Sequence, residues 1–357
     1  MIPANSSAAQ VAEGPRRKSP SFKRWVVLVS AALLVLLIAP AVANLVICRI
    51  EQARHPVPGS FYQVDGRQMH IYCAGQGLPT VVLESELLDD WLDWQKVQPE
   101  LAKTGRVCSY DRAGLGWSEP QDGPRDALHI AGQLHTLLQK AGETGPFILV
   151  GASAGGLFAR EFTSIYRVDV RGIVFVDSAT PEQIKALPGR EDSNEKRRMR
   201  HHRATWRWIQ ETTGWARLSG RCKGAVVKGL ELYAGLDAAE KCRPAYARSW
   251  LGEYDDVWRS AAEAGEARCC GDLLLVIVSR DPEKGRSADE TVVEPIWNSL
   301  QENLKRLSSR SRRIIARGSG HDVMIDRPDV VINATRGIIN EVRGNTSEAK
   351  YATTTVQ

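Results

Sequence analysis

The chain has no C-x-x-C pair among its seven cysteines, so it lacks the usual spacing of structural zinc sites and dithiol redox centres. The odd count also excludes complete pairing within one molecule. No G-x-G-x-x-G occurs, which removes the dinucleotide fingerprint, and no internal repeat is found. Charge of one sign is scarce: 47 Lys and Arg against 42 Asp and Glu leave a net +5. Apart from an N-terminal cluster and the stretch from Lys196 to Arg203, the basic residues are scattered. Such an excess bears on solubility rather than on a nucleic-acid partner, and no recognition motif for DNA or RNA is present. The apolar (43%) and charged (25%) fractions are those of an ordinary globular chain, which excludes general disorder and a disulfide-dense scaffold.

What is present begins with one long apolar run. Residues 25–48 carry no charged side chain, and about 20 such residues suffice to cross a bilayer. Arg16, Arg17, Lys18, Lys23 and Arg24 precede the run, against Arg49, Glu51 and Arg54 after it. The positive-inside bias therefore predicts a cytoplasmic tail over residues 1–24, a single-pass anchor over 25–48 and a body outside the cytoplasm. Ala41-Val42-Ala43 has the small-x-small form of a cleavage site, so secretion after signal cleavage is the alternative. The n-region of over twenty residues and the apolar Leu45, Val46 and Ile47 beyond that site favour the anchor. In an oxidising compartment Cys222, Cys242, Cys269 and Cys270 are candidates for disulfides, with free thiols the alternative; Cys73 and Cys108 fall in predicted strands and read as core.

From about residue 60 short apolar runs alternate with stretches of helical spacing. Residues 61–64 and 69–73, joined through Asp65-Gly66, predict a hairpin. Residues 79–83, 106–110, 147–150, 172–176, 273–278 and 313–316 predict further strands, with helices between them, for instance over 127–140 and 157–166. This alternation predicts an α/β fold with a mostly parallel central sheet flanked by helices. It breaks over 180–270, where no strand-like run occurs and five of the ten tryptophans collect: Trp206, Trp208, Trp215, Trp250 and Trp258. The expected layout is a core of 60–179 and 271–344, a helical cap of 180–270 and a disordered tail of 345–357. The cap tryptophans serve either an acyl or alkyl pocket or the packing of helix on helix.

The chemistry concentrates at Gly151-Ala152-Ser153-Ala154-Gly155-Gly156. This G-x-S-x-G follows an apolar strand directly and precedes a helix directly, the context in which a serine is lifted above a sheet on a strained turn. A hydroxyl is too weak an acid to attack a carbonyl unaided and needs a base near neutral pKa, itself oriented by a third group. His321, closing Gly318-Ser319-Gly320 after the last predicted strand, is the only one of seven histidines so placed. Two acids follow strands: Asp281, before Pro282, and Asp177, in Val176-Asp177-Ser178. Either would accept the other N–H of the histidine. The oxyanion needs backbone donors, for which Ala154 and, from Ser85-Glu86-Leu87-Leu88, Leu87 are the candidates. A carboxylate at Glu86 would oppose that charge unless it faces solvent.

At these residues the sequence resembles the α/β-hydrolase superfamily, in particular esterase and lipase-like members with a helical cap. The stretches that carry the likeness are Val82 to Ser85, Ser109 to Ser118, the GASAGG turn, and Gly320-His321 ahead of Asp326-Arg327-Pro328. The resemblance implies that Ser153 is a nucleophile and His321 its base, with Asp281 favoured over Asp177 as acid. It also implies a floor buttressed by Asp111 and Arg112, and no metal or organic cofactor. Two departures stand out: Ala152 and Ala154 flank the serine, and Glu86-Leu87-Leu88-Asp89 replaces a glycine-rich oxyanion loop. The implied activity is cleavage of a carboxylic ester, or of an amide or thioester, in a small-molecule or lipid-like substrate. A catalytically silent binding protein and a membrane-tethered acyltransferase are the alternatives. Haloalkane dehalogenases and epoxide hydrolases use a carboxylate where this chain has serine, which argues against both.

Overall fold

Runs that are apolar at both phases of a two-residue period belong to strands buried on both faces. The computed structural model describes residues 22–188, 193–222, 231–241, 243, 246–284 and 288–344. In chain order it contains helix α1 (Phe22–Arg54), strands β1 (Ser60–Val64), β2 (Arg67–Ala74) and β3 (Thr80–Glu84), helix α2 (Gln98–Ala102), β4 (Val107–Tyr110), α3 (Ala127–Lys140), β5 (Phe147–Ala152), α4 (Gly155–Ile165) and β6 (Val170–Val176). Five helices follow: α5 (Gln183–Ala186), α6 (Asn194–Thr212), α7 (Trp215–Leu218), α8 (Ala234–Lys241) and α9 (Tyr246–Glu266). The chain then completes β7 (Leu274–Arg280), α10 (Ala288–Asn303), β8 (Arg310–Ala316), α11 (Val323–Asp326) and α12 (Pro328–Val342).

The eight strands make one sheet in the order β1-β2-β4-β3-β5-β6-β7-β8. Strand β2 runs antiparallel to β1 and β4, and every other pairing is parallel. The β1–β2 hairpin closes at Val64 opposite Arg67, with Asp65 (φ 50°) and Gly66 (φ 79°) both left-handed, as a primed two-residue turn demands. Val82, Leu149, Ile173 and Ile277 pack on one face with Leu134 and Phe162 of α3 and α4. Val81, Ile148, Val174 and Val276 pack on the other with Leu101 of α2 and Ile338 of α12. From β3 the chain steps to β4 on one side, then to β5 on the other. The loops at the carboxyl ends of β3 and β5 therefore flank the switch point where α/β sheets bind ligands.

Between β6 and β7 no strand occurs among the described residues. Helix α6 packs on α9 through the Arg200 guanidinium, 5.0 Å from the ring centres of both Tyr254 and Trp258. Trp258 thus serves helix packing, while Trp206 and Trp215 are exposed. Among the described residues α1 is the one helix long and apolar enough to cross a membrane. Its carboxyl end rests on the inserted helices: Asn44 Nδ2 donates to the Glu211 carbonyl (2.9 Å), and Arg217 donates to both carboxylate oxygens of Glu51 (2.7 Å each). Two cysteines depart from expectation. Cys73 and Cys108, read as core, are joined in a disulfide because antiparallel β2 and β4 set them directly opposite each other. Cys269 pairs with its neighbour Cys270, Cys222 is disulfide-bonded, and Cys242 lies outside the described residues. The tail after Gly344 also lies outside them.

Candidate active site

Ser153 stands in the short gap between β5 and the first turn of α4, at φ 48°. That left-handed backbone is strained for a residue with a side chain. Close approach explains the flanking glycines. A Cβ on Gly151 would lie 2.5 Å from the Gly155 carbonyl oxygen, and one on Gly155 would lie 2.4 Å from that of Glu84. The helix is thereby brought against the end of β3, and the serine is held over the sheet.

Ser153 Oγ lies 3.0 Å from His321 Nε2, and His321 Nδ1 lies 2.5 Å from Asp177 Oδ2. A carboxylate only accepts, so Nδ1 carries the hydrogen and Nε2 is left to accept from the serine hydroxyl. Asp177 is fully buried and shares the strain, at φ 40°. Its Oδ1 accepts from the Arg280 backbone N–H (3.1 Å) and from Trp297 Nε1 (2.9 Å). The Trp297 ring meets the His321 imidazole edge-on. Burial alone would lower the His321 pKa; the Asp177 hydrogen bond, the charge of Glu86 where that carboxyl is ionised, and the charge of Asp177 outweigh it and hold it above the usual imidazole value.

Asp281, the acid favoured on sequence, does not meet the histidine. It accepts from the N–H groups of Gly318 (2.8 Å) and Glu283 (3.0 Å) and from Arg317 (3.2 Å). The cause is strand length: β7 continues through Arg280, so Asp281 lies beyond the level at which Asp177 leaves β6 and is taken up by the loop before His321. Burial raises its pKa, but those hydrogen bonds dominate and leave it lowered. Its place is to brace the 317–320 loop, which Asp326 holds from the other side through the Gly320 N–H (2.6 Å).

The loop after β3 is shaped by Arg112, which is buried and donates to the carbonyls of Ser85 (3.1 Å) and Glu86 (2.6 Å). Arg112 is itself paired with Glu84 (2.8 Å) and with Glu253 of α9 (2.6 Å). Glu253 also accepts the N–H of Leu88 (2.6 Å), a residue at φ 73°. Leu87 packs against the apolar cluster that contains Ala154, and among the described residues neither N–H is taken by a protein acceptor. Asp111 binds His70 and the N–H groups of Trp91 and Trp117, which is a structural role. Glu86 does not face solvent. Its Oε2 lies 3.8 Å from His321 Nε2 and its Oε1 is buried with no hydrogen-bond partner. Burial, aided by Asp322, Asp89 and Asp177 and opposed by His321, pushes its carboxyl up to about 8. Sequence reasoning missed Glu253, Arg280 and Trp297, which act across 103 to 165 residues of chain with no local motif.

With this geometry in view, residues 85–334 match the Alpha/beta hydrolase family. The chain belongs to that family. Among curated relatives, an uncharacterised protein of Schizosaccharomyces pombe is 35% identical over 89 residues, 25% of this chain and 17% of that protein. YbdG of Bacillus subtilis, also uncharacterised, is 29% identical over 162 residues, 44% of this chain and 50% of that protein. A 2-hydroxymuconate semialdehyde hydrolase of Pseudomonas sp. is 33% identical over 121 residues, 32% of this chain and 41% of that enzyme. The chain therefore spans half or less of these relatives' own length. Among solved structures, a thermophilic esterase of Thermogutta terrifontis aligns at TM-score 0.53 and 20% identity, over 80% of this chain and 98% of that one. A membrane phospholipase A aligns at 0.54 and 18%, over 90% and 99%. Epoxide hydrolase and haloalkane dehalogenase structures align equally well, as expected of a shared fold.

Proposed function

We propose that the protein is a serine hydrolase that cleaves a carboxylic ester through an acyl-enzyme on Ser153. The observation that carries the reading is the unbroken chain Ser153 Oγ, His321, Asp177 at 3.0 and 2.5 Å on three separate strand ends. His321 Nε2 takes the hydroxyl proton as Oγ attacks the acyl carbon and returns it to the leaving oxygen. Water then repeats the sequence and releases the acid. Asp177 fixes the tautomer and stabilises the imidazolium. The N–H groups of Ala154 and Leu87 receive the oxyanion. Asp281 has no part in proton transfer.

The substrate is a small or lipid-like ester. The apolar α1, read as a single-pass anchor, and the likeness to an esterase and a membrane phospholipase A support that class. The inserted helices form a lid that α1 grips through Glu51 and Arg217. The test is turnover of p-nitrophenyl esters of graded acyl length by the full chain in detergent. Wild type is expected to hydrolyse at least one of the series and Ser153→Ala none. Equal turnover by both proteins would overturn the reading.

A further inference from the structure

Glu86 is the residue that the reaction above leaves unexplained. Its carboxyl reaches within 3.8 Å of the imidazole nitrogen that serves the serine, on the very loop expected to receive negative charge. The charges that act on it are those of His321, Asp322, Asp89 and Asp177, and it acts in turn on Asp93. Arg112, the neighbouring cation, is spent on the Glu86 carbonyl and on Glu84 and Glu253. An ionised Glu86 would thus stand among carboxylates, half-dehydrated, beside a forming oxyanion, and both its own burial and the reaction disfavour that charge. A neutral carboxyl inverts the argument: its O–H is a donor where donors are needed, and its buried Oε1 has no other partner.

We propose, building on the hydrolase reading, that Glu86 works as a neutral carboxylic acid, the third hydrogen-bond donor to the oxyanion beside the N–H groups of Ala154 and Leu87. No bond to Glu86 forms or breaks; the proton stays on its carboxyl through acylation and deacylation. The arrangement follows the general rule that a carboxylic acid held neutral by its site can serve an oxyanion. Loss of that proton at alkaline pH turns the donor into a repelling charge and ends activity, although His321 is then still a competent base.

Two measurements on the full chain in detergent micelles test this. In the first, ¹³C-carboxyl-labelled glutamates are titrated by NMR, and the resonance lost in Glu86→Gln identifies Glu86. It is expected to titrate near 8; titration in the ordinary glutamate range below about 5 overturns the proposal whatever the enzyme does. In the second, kcat is followed against pH with the ester found above. Wild type is expected to lose activity above pH 8, whereas Glu86→Gln, a donor that never ionises, keeps its activity there. Glu86→Ala is expected to lose on the order of a hundredfold in kcat with KM little changed. An alkaline fall retained in Glu86→Gln, or a Glu86→Ala enzyme with wild-type kcat, overturns the proposal. A protein whose Glu86 titrates near 8 but that turns over no ester and labels with no serine probe supports the neutral carboxyl and removes the hydrolase reading, so the two failures are distinct.

Discussion

At the scale of single residues, the decisive distinction is between two aspartates in similar sequence settings. Both follow an apolar strand and both lie next to turn chemistry, so neither composition nor spacing separates Asp177 from Asp281. The choice depends on where β6 and β7 end relative to His321, which is a property of sheet register. Asp177→Asn is expected to lower kcat by on the order of ten-thousandfold, because the imidazole loses its tautomer and its counter-charge. Asp281→Asn is expected to stay within about tenfold, since it only loosens the loop before His321; steady-state ester kinetics on the pair checks both. The raised His321 pKa sets the acid side of the profile. Below that pKa the imidazolium cannot accept the serine proton, so kcat/KM is expected to fall as pH drops. With Glu86 neutral in this range only the Asp177 hydrogen bond and charge oppose the lowering by burial, and the acid limb is expected at the same pH in wild type and in Glu86→Gln. An acid limb that moves to lower pH in Glu86→Gln would show Glu86 ionised there and contradict the neutral carboxyl.

At the scale of elements, the turn that carries Ser153 was legible because every constraint on it is local: an apolar strand, glycines two residues either side and a helix start. The hairpin at Asp65-Gly66 was legible for the same reason. The loop after β3 was not. Its sequence, Glu86 to Asp89, lacks glycine, and its shape comes from Arg112 and from Glu253 on α9, 165 residues away from Leu88. Glu253 is 1% exposed and is the link between the inserted helices and the loop. Glu253→Ala would leave Arg112 buried with part of its charge unmatched. The expected cost is about 3 kcal/mol of stability, read as a lower denaturant midpoint. An unchanged midpoint would show that this link contributes nothing to stability.

At the scale of the whole molecule, an α/β body, a helical insertion and an apolar helix are arranged so that α1 touches the insertion rather than the sheet: Asn44 and Glu51 meet Glu211 and Arg217. The fold class and the helical insertion were legible from alternation and its interruption. The contact between α1 and the insertion was not, because an apolar helix carries no signal of what its polar exceptions will meet. If α1 is the anchor with the amino terminus in the cytoplasm, a cysteine-reactive, membrane-impermeant label applied to intact cells is expected to reach a cysteine engineered at Ser347 and to miss one at Ser6. The opposite pattern would reverse the orientation.

The proposed reaction depends on Ser153 being made nucleophilic by His321. Peptide mapping by mass spectrometry after reaction of the full chain with a fluorophosphonate measures this most directly. A single phosphonyl adduct on Ser153 is expected, with its formation slowed by orders of magnitude in His321→Asn. An adduct on any other serine, or labelling of Ser153 that proceeds undiminished without His321, would contradict it.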